Sequence, residues 1–146
     1  SSWKGTDERS GGIAMNIGIH LFDLLMWLFG DVVDSEVHMK RSDKMAGALQ
    51  LERARVRWFL SVDAADLPAH CRADGSFAHR SLCIDGEETE FSRGFADLHT
   101  RVYEEVLAGR GYGIEEARAS IALVRRIRDE EEAAPRLGTH PLLGGT

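Results

Sequence analysis

Gly11-Gly12-Ile13-Ala14-Met15-Asn16-Ile17-Gly18-Ile19-His20-Leu21-Phe22-Asp23-Leu24-Leu25-Met26-Trp27-Leu28-Phe29-Gly30 is the longest apolar run in the chain. Wound at about 100° per residue, it places apolar side chains on nearly every side, the pattern of a helix that expects burial. Gly30 follows the last apolar residue, where a left-handed C-cap belongs. Asn16, His20 and Asp23 break the apolar surface at i, i+4 and i+7, so they stack along one narrow wedge. An unpaired buried polar group costs about 1–3 kcal/mol. The wedge is therefore expected to meet polar partners, and a substrate pocket is one source of them.

Downstream of this helix the periodicity changes. Strand-like runs occupy about 32–41, 46–53, 54–63, 77–85 and 87–92, and Val56-Arg57-Trp58-Phe59-Leu60-Ser61-Val62-Asp63 is the richest in β-formers. Asp85-Gly86, between Leu82-Cys83-Ile84 and Glu87-Glu88-Thr89-Glu90-Phe91, signals a two-residue hairpin. Pro68, Asp74 and Gly75 predict a loop over about 64–76. Asp97 can cap a helix carrying Leu98, Val102, Val106 and Leu107 that stops near Gly109–Gly113. A last helix is predicted over about 114–132, with Ala117, Ile121, Val124 and Ile127 on one stripe and Glu115-Glu116 in its first turn. The order helix, antiparallel strands, helices predicts an α+β fold, an open and mostly antiparallel sheet with helices packed on one face. Residues 1–133 form the expected domain, and Pro135, Pro141 and Gly144-Gly145 make 134–146 an expected flexible tail.

The bulk composition narrows the function. A chain of 146 residues with 43% hydrophobic and 29% charged content can bury one core. A net charge of −6 argues against nucleic acid or an anionic membrane as partner. The run from Ile13 to Phe29 is the one transmembrane candidate; it is shorter than the roughly 20 residues a span needs and carries three polar groups on one face. Two cysteines, Cys71 and Cys83, make no disulfide framework, and with no visible signal peptide a cytoplasmic location is expected. The chain opens on Ser1 and not on methionine, which suggests a piece of a longer protein.

Spacing alone leaves two readings of His20. As an imidazole on a polar wedge it could exchange protons with a substrate, with Asp23 fixing its tautomer and Asn16 holding a hydroxyl. Equally, it could be a buried histidine satisfied by Asp23 and a backbone carbonyl. Lys4 and Arg9, beside Trp3 and just before Gly11-Gly12 at a helix start, could attract a phosphate or carboxylate. A flexible charged lead-in would look the same. Gly109-x-Gly111-x-Gly113 follows a helix and lacks the third glycine of a dinucleotide fingerprint. His70-Cys71 with Cys83 has no recognised zinc spacing, so no metal is expected. No G-x-S-x-G elbow occurs.

Ser2-Trp3-Lys4-Gly5, Ser10-Gly11-Gly12-Ile13 and Asn16-Ile17-Gly18-Ile19-His20-Leu21-Phe22-Asp23 resemble the start of the C-terminal domain of the glucose–fructose oxidoreductase / inositol dehydrogenase (Gfo/Idh/MocA) family. Ser35-Glu36-Val37-His38, Leu51–Ser61, Ile84-Asp85-Gly86-Glu87 and Gly94–Glu105 resemble one subgroup, the UDP-N-acetylglucosaminuronate 3-dehydrogenases of bacterial surface-polysaccharide synthesis (WlbA/WbpB type). The resemblance runs over residues 1 to about 128. It implies an NAD-dependent, homo-oligomeric sugar oxidoreductase whose Rossmann domain precedes this substrate domain. It maps the family's catalytic histidine onto His20 and the polar residue four positions earlier onto Asn16. By the same resemblance Lys4 reaches the sugar acid or diphosphate. The family's Glu-Lys-Pro lysine and dinucleotide glycines have no counterpart here, so the chain by itself is expected to be catalytically incomplete. A non-catalytic binding or dimerisation module, and a dehydrogenase for another sugar or polyol, are the alternatives.

Overall fold

The computed structural model describes residues 11–92, 104, 107–109 and 114–144. It divides into two compact units, Ser1–Val62 with Ile114–Thr146, and Asp63–Gly113. The expected helix opening at Asp97 lies outside the described residues apart from 104 and 107–109.

The first unit starts with one helical segment over 12–29. Its Ala14–Gly18 portion is a π-helical turn, and α1 (Ile19–Phe29) continues it as a regular helix. Gly30, at φ 87°, ends α1 and donates to the Met26 carbonyl, as the sequence predicts. The last carbonyls of α1 are answered by Arg53, whose N–H donates to Phe29 O at 3.0 Å and whose Nη2 donates to Leu28 O at 2.9 Å. A cation there also complements the negative end of the helix dipole.

β1 (Val32–Lys40), β2 (Lys44–Leu51) and β3 (Arg55–Ser61) form an antiparallel sheet in the order β1-β2-β3. Val37, Gly47 and Trp58 pair across it and share one face. Trp58 meets Phe22 of α1 edge-on, with ring centroids 5.4 Å apart, so this face carries the helix. Gly18 permits the close approach: a Cβ there would stand 2.8 Å from Leu60 Cδ1 and 2.9 Å from Phe22 Cε2. α3 (Ile114–Asp129) packs on α1 and β1 through buried Ser120, Leu123, Val124 and Ile127. Ile121, expected on the inner stripe, is 44% exposed; Ser120 takes the inward position one residue earlier.

The opposite sheet face is covered by the chain's own end. Glu36, Ala48 and Arg57 form its central row. Residues 134–144, expected to be a flexible tail, are hydrogen-bonded here. One Glu36 oxygen accepts the N–H groups of Arg136 and Leu137, each at 2.9 Å. Arg57 Nη1 donates to Thr139 O at 3.4 Å, and His140 stacks on Phe59 at 5.5 Å. Glu36 is 1% exposed, and a carboxylate buried mid-sheet requires such donors.

The second unit contains α2 (Ala69–Ala73), β4 (Ser81–Ile84) and β5 (Glu87–Glu90). The β4–β5 hairpin turns through Asp85 (φ 52°) and Gly86 (φ 89°), the paired positive φ values that Asp-Gly predicted. α2 and a 3₁₀ turn (Ala64–Asp66) occupy the stretch expected as loop.

Candidate functional site

The polar wedge of the opening helix is its accessible face. Asn16, His20, Asp23 and Trp27 are all exposed, Trp27 at 78%, whereas Gly18, Phe22 and Leu25 are buried. The helix expected to be buried on all sides thus keeps one open stripe. Its cause is geometric: the sheet and α3 pack against the other faces.

Three local features position the stripe. The π turn lies over Asn16 and ends two residues before His20. Such single-turn π segments recur at functional sites because their wider ladder reorients side chains relative to the helix that follows. Asn16 Nδ2 donates to Gly12 O at 3.0 Å, which fixes the amide toward the helix start. Asp23 Oδ1 accepts the Ser120 hydroxyl at 2.5 Å and so ties α1 to α3. Sequence reasoning assigned Asp23 to His20; among the described residues no hydrogen bond joins them, and the carboxylate is committed to Ser120. Ser120 itself was missed, since a serine on a helix stripe carries no signal until its partner is known. His20 is exposed and makes no hydrogen bond to a described residue.

Trp3, Lys4 and Arg9 lie outside the described residues. Cations that the sequence did not single out surround Gly11 and Gly12 instead: Lys40, Arg41 and Arg128 line a cavity of about 400 Å³ together with both glycines. Lys40 Nζ is already engaged, donating to the carbonyls of Arg128 and Glu130 at the C-terminal end of α3. No strand–GxGxxG–helix unit occurs among the described residues, so a dinucleotide's phosphates find no glycine cradle here.

Glu36 was quoted for its resemblance and otherwise overlooked. Burial pushes its carboxyl pKa up. The His38 ring at 3.0 Å, the Leu137 and Arg136 N–H groups and the Arg136 charge more than reverse this, lowering it to about 2. Oε2 takes the contacts from His38, Arg136 N–H and Leu137 N–H, and Oε1 faces Arg136 Nε at 2.9 Å, which marks Glu36 as an anchor for the C-terminal segment.

Residues 1–77 match the family described as "Oxidoreductase family, C-terminal alpha/beta domain" (Gfo/Idh/MocA). The chain belongs to the Gfo/Idh/MocA oxidoreductase family. Among solved structures it is similar to the WlbA (WbpB) dehydrogenase of Thermus thermophilus in complex with NAD and α-ketoglutarate, with 48% identity and a TM-score of 0.89. The match covers 97% of this chain and 46% of that one. A second structure of the Thermus thermophilus enzyme, in complex with NAD and UDP-GlcNAcA, matches at 47% identity and the same TM-score and coverage. The chain therefore spans about half the length of these relatives and corresponds to a Gfo/Idh/MocA C-terminal domain. No described helix is long and apolar enough to cross a membrane.

Proposed function

We propose that this chain supplies the substrate-side half of the active site of an NAD-dependent nucleotide-sugar dehydrogenase that oxidises the 3-hydroxyl of a UDP-N-acetylhexosaminuronate. The observation that carries the reading is the single open stripe of the opening helix, which presents Asn16 and His20 on the element that the family match spans. Similarity to an enzyme crystallised with NAD and UDP-GlcNAcA supplies the substrate class.

In this reading His20 takes the proton of the sugar hydroxyl as the C–H bond breaks. An imidazole nitrogen within reach of the hydroxyl is suited to that task. Asn16 orients the hydroxyl through its amide, and Asp23 has a supporting role by locking α1 to α3 through Ser120. Lys4, Arg9 and Trp3 hold the sugar acid and diphosphate. NAD, which a separate Rossmann domain would hold, would supply the hydride acceptor; the hydroxyl proton goes to His20 and the sugar is left as a ketone. The same reading makes the protein a homo-oligomer that works in the cytoplasm on a precursor of bacterial surface polysaccharide.

The test expresses the complete reading frame and follows NADH formation with UDP-GlcNAcA, other nucleotide sugars and free polyols. Turnover greatest with the uronate supports the proposal. Turnover only with a free polyol would reassign the substrate, and no NADH with any of them would contradict the enzymatic reading.

A further inference from the structure

The described part of the second unit has almost no apolar interior. Among its described residues Cys71 is the only buried one, at 2% exposed, while β5 is exposed throughout and Phe77 is 98% exposed. A two-stranded hairpin and a five-residue helix are each marginal alone. Small units without a core commonly rely on a disulfide, a metal or a partner surface. Both cysteines are free thiols, and Cys83 is exposed.

What surrounds Cys71 is a set of metal donors. One ligand atom from each of His70, Cys71 and His79 lies within 4.8 Å of the others. Cys71 Sγ stands 3.6 Å from His79 Nδ1. For zinc at about 2.3 Å from sulfur and 2.0–2.1 Å from nitrogen, a tetrahedral edge is about 3.5 Å. The two imidazoles are nearly perpendicular, with centroids 5.7 Å apart. Glu90 Oε1 lies 3.8 Å from His79 Nδ1.

The remaining nitrogen of His79 faces outer partners. Nε2 is 3.2 Å from Ser81 Oγ and 3.5 Å from Glu88 Oε1. A histidine whose second nitrogen is held by a carboxylate is the usual arrangement at metal sites, because it fixes the ring and its tautomer. The cluster also borders a cavity of about 790 Å³ lined by His70, Cys71 and Glu90, which gives an ion a way in.

We propose that His70, Cys71 and His79, with Glu90 as fourth ligand, form a structural site for a borderline-soft divalent transition-metal ion such as zinc(II). On binding, the Cys71 S–H bond breaks, a metal–sulfur bond forms and the proton passes to solvent. The ion clasps α2 to the β4–β5 hairpin and does the work that a core would do elsewhere. The spacing of His70-Cys71 with Cys83 hid the site in the sequence; the ligand that completes it is His79, and Cys83 plays no part.

The test titrates tag-free, reduced chain with cobalt(II) chloride and then zinc(II) chloride. One equivalent of cobalt is expected to give sulfur-to-cobalt charge-transfer absorption and tetrahedral d–d bands, and zinc to displace it. Cys71→Ser should abolish the charge-transfer band and Cys83→Ser should keep it. His70→Ala, at an exposed and fold-tolerant position, should weaken binding and alter the d–d bands. Glu88→Gln should keep the band with affinity lower by about 10–100-fold. No band at one equivalent, a band that follows Cys83, or spectra and affinity unchanged in His70→Ala would overturn the proposal.

Discussion

Replacing Glu36 by glutamine tests how the C-terminal segment is held to the sheet. The Glu36 carboxyl titrates at about 2 in the folded protein against an ordinary 4.5. That gap corresponds to about 3 kcal/mol of stability, since each pH unit is worth about 1.4 kcal/mol. Because the folded value is the lower one, the stabilisation is fully present above pH about 4.5 and is lost as pH falls toward 2. Glutamine keeps the shape but turns one acceptor into a donor that faces either Arg136 or the two backbone N–H groups. Urea unfolding of both proteins from pH 7 down to pH 3 should show a loss of about 3 kcal/mol at neutrality that shrinks below pH about 4.5. Arg136→Ala serves as a control: its side chain is 69% exposed and its backbone N–H survives, so about 1 kcal/mol or less is expected. Equal stability of Glu36→Gln and wild type at pH 7, or a difference that stays constant to pH 3, would refute the reasoning.

Other variants probe the helix that carries the candidate site. Gly18→Ala pushes a methyl to within 2.8 Å of Leu60 and 2.9 Å of Phe22, and should cost about 1–3 kcal/mol despite alanine's better helix propensity, read from the urea midpoint. Ser120→Ala removes the hydroxyl bound to Asp23 and should cost about 1 kcal/mol, with faster hydrogen exchange along α1; Asp23→Ala in the same background should add little, since both act through one bond. Asn16→Ala in the complete enzyme should raise KM for the nucleotide sugar, measured by initial rates, with little change in stability.

Much of the fold was legible because it rests on local signals. Gly30 ends the helix, Asp85-Gly86 turns the hairpin, and the three long strands lie within a few residues of their predicted places. What escaped depends on chain segments distant in sequence. The stripe of Asn16 and His20 was expected to be buried because an apolar count says nothing about which side the sheet leaves open. Ser120 and Asp23 are 97 residues apart, and Glu36 meets Arg136 across 100, so neither pairing has a sequence period. The proline- and glycine-containing end suggested looseness, and nothing in the sequence signalled that a buried carboxylate accepts two of its backbone N–H groups. His79 joins His70 and Cys71 only when the hairpin returns against α2.

We propose that His20, on the open stripe of α1, handles the proton of a sugar hydroxyl. Its most direct test compares kcat and KM of His20→Ala with wild type in the complete enzyme, with UDP-GlcNAcA and NAD. A fall in kcat of about 10²–10⁴-fold with little change in KM is expected. Turnover equal to wild type would contradict it.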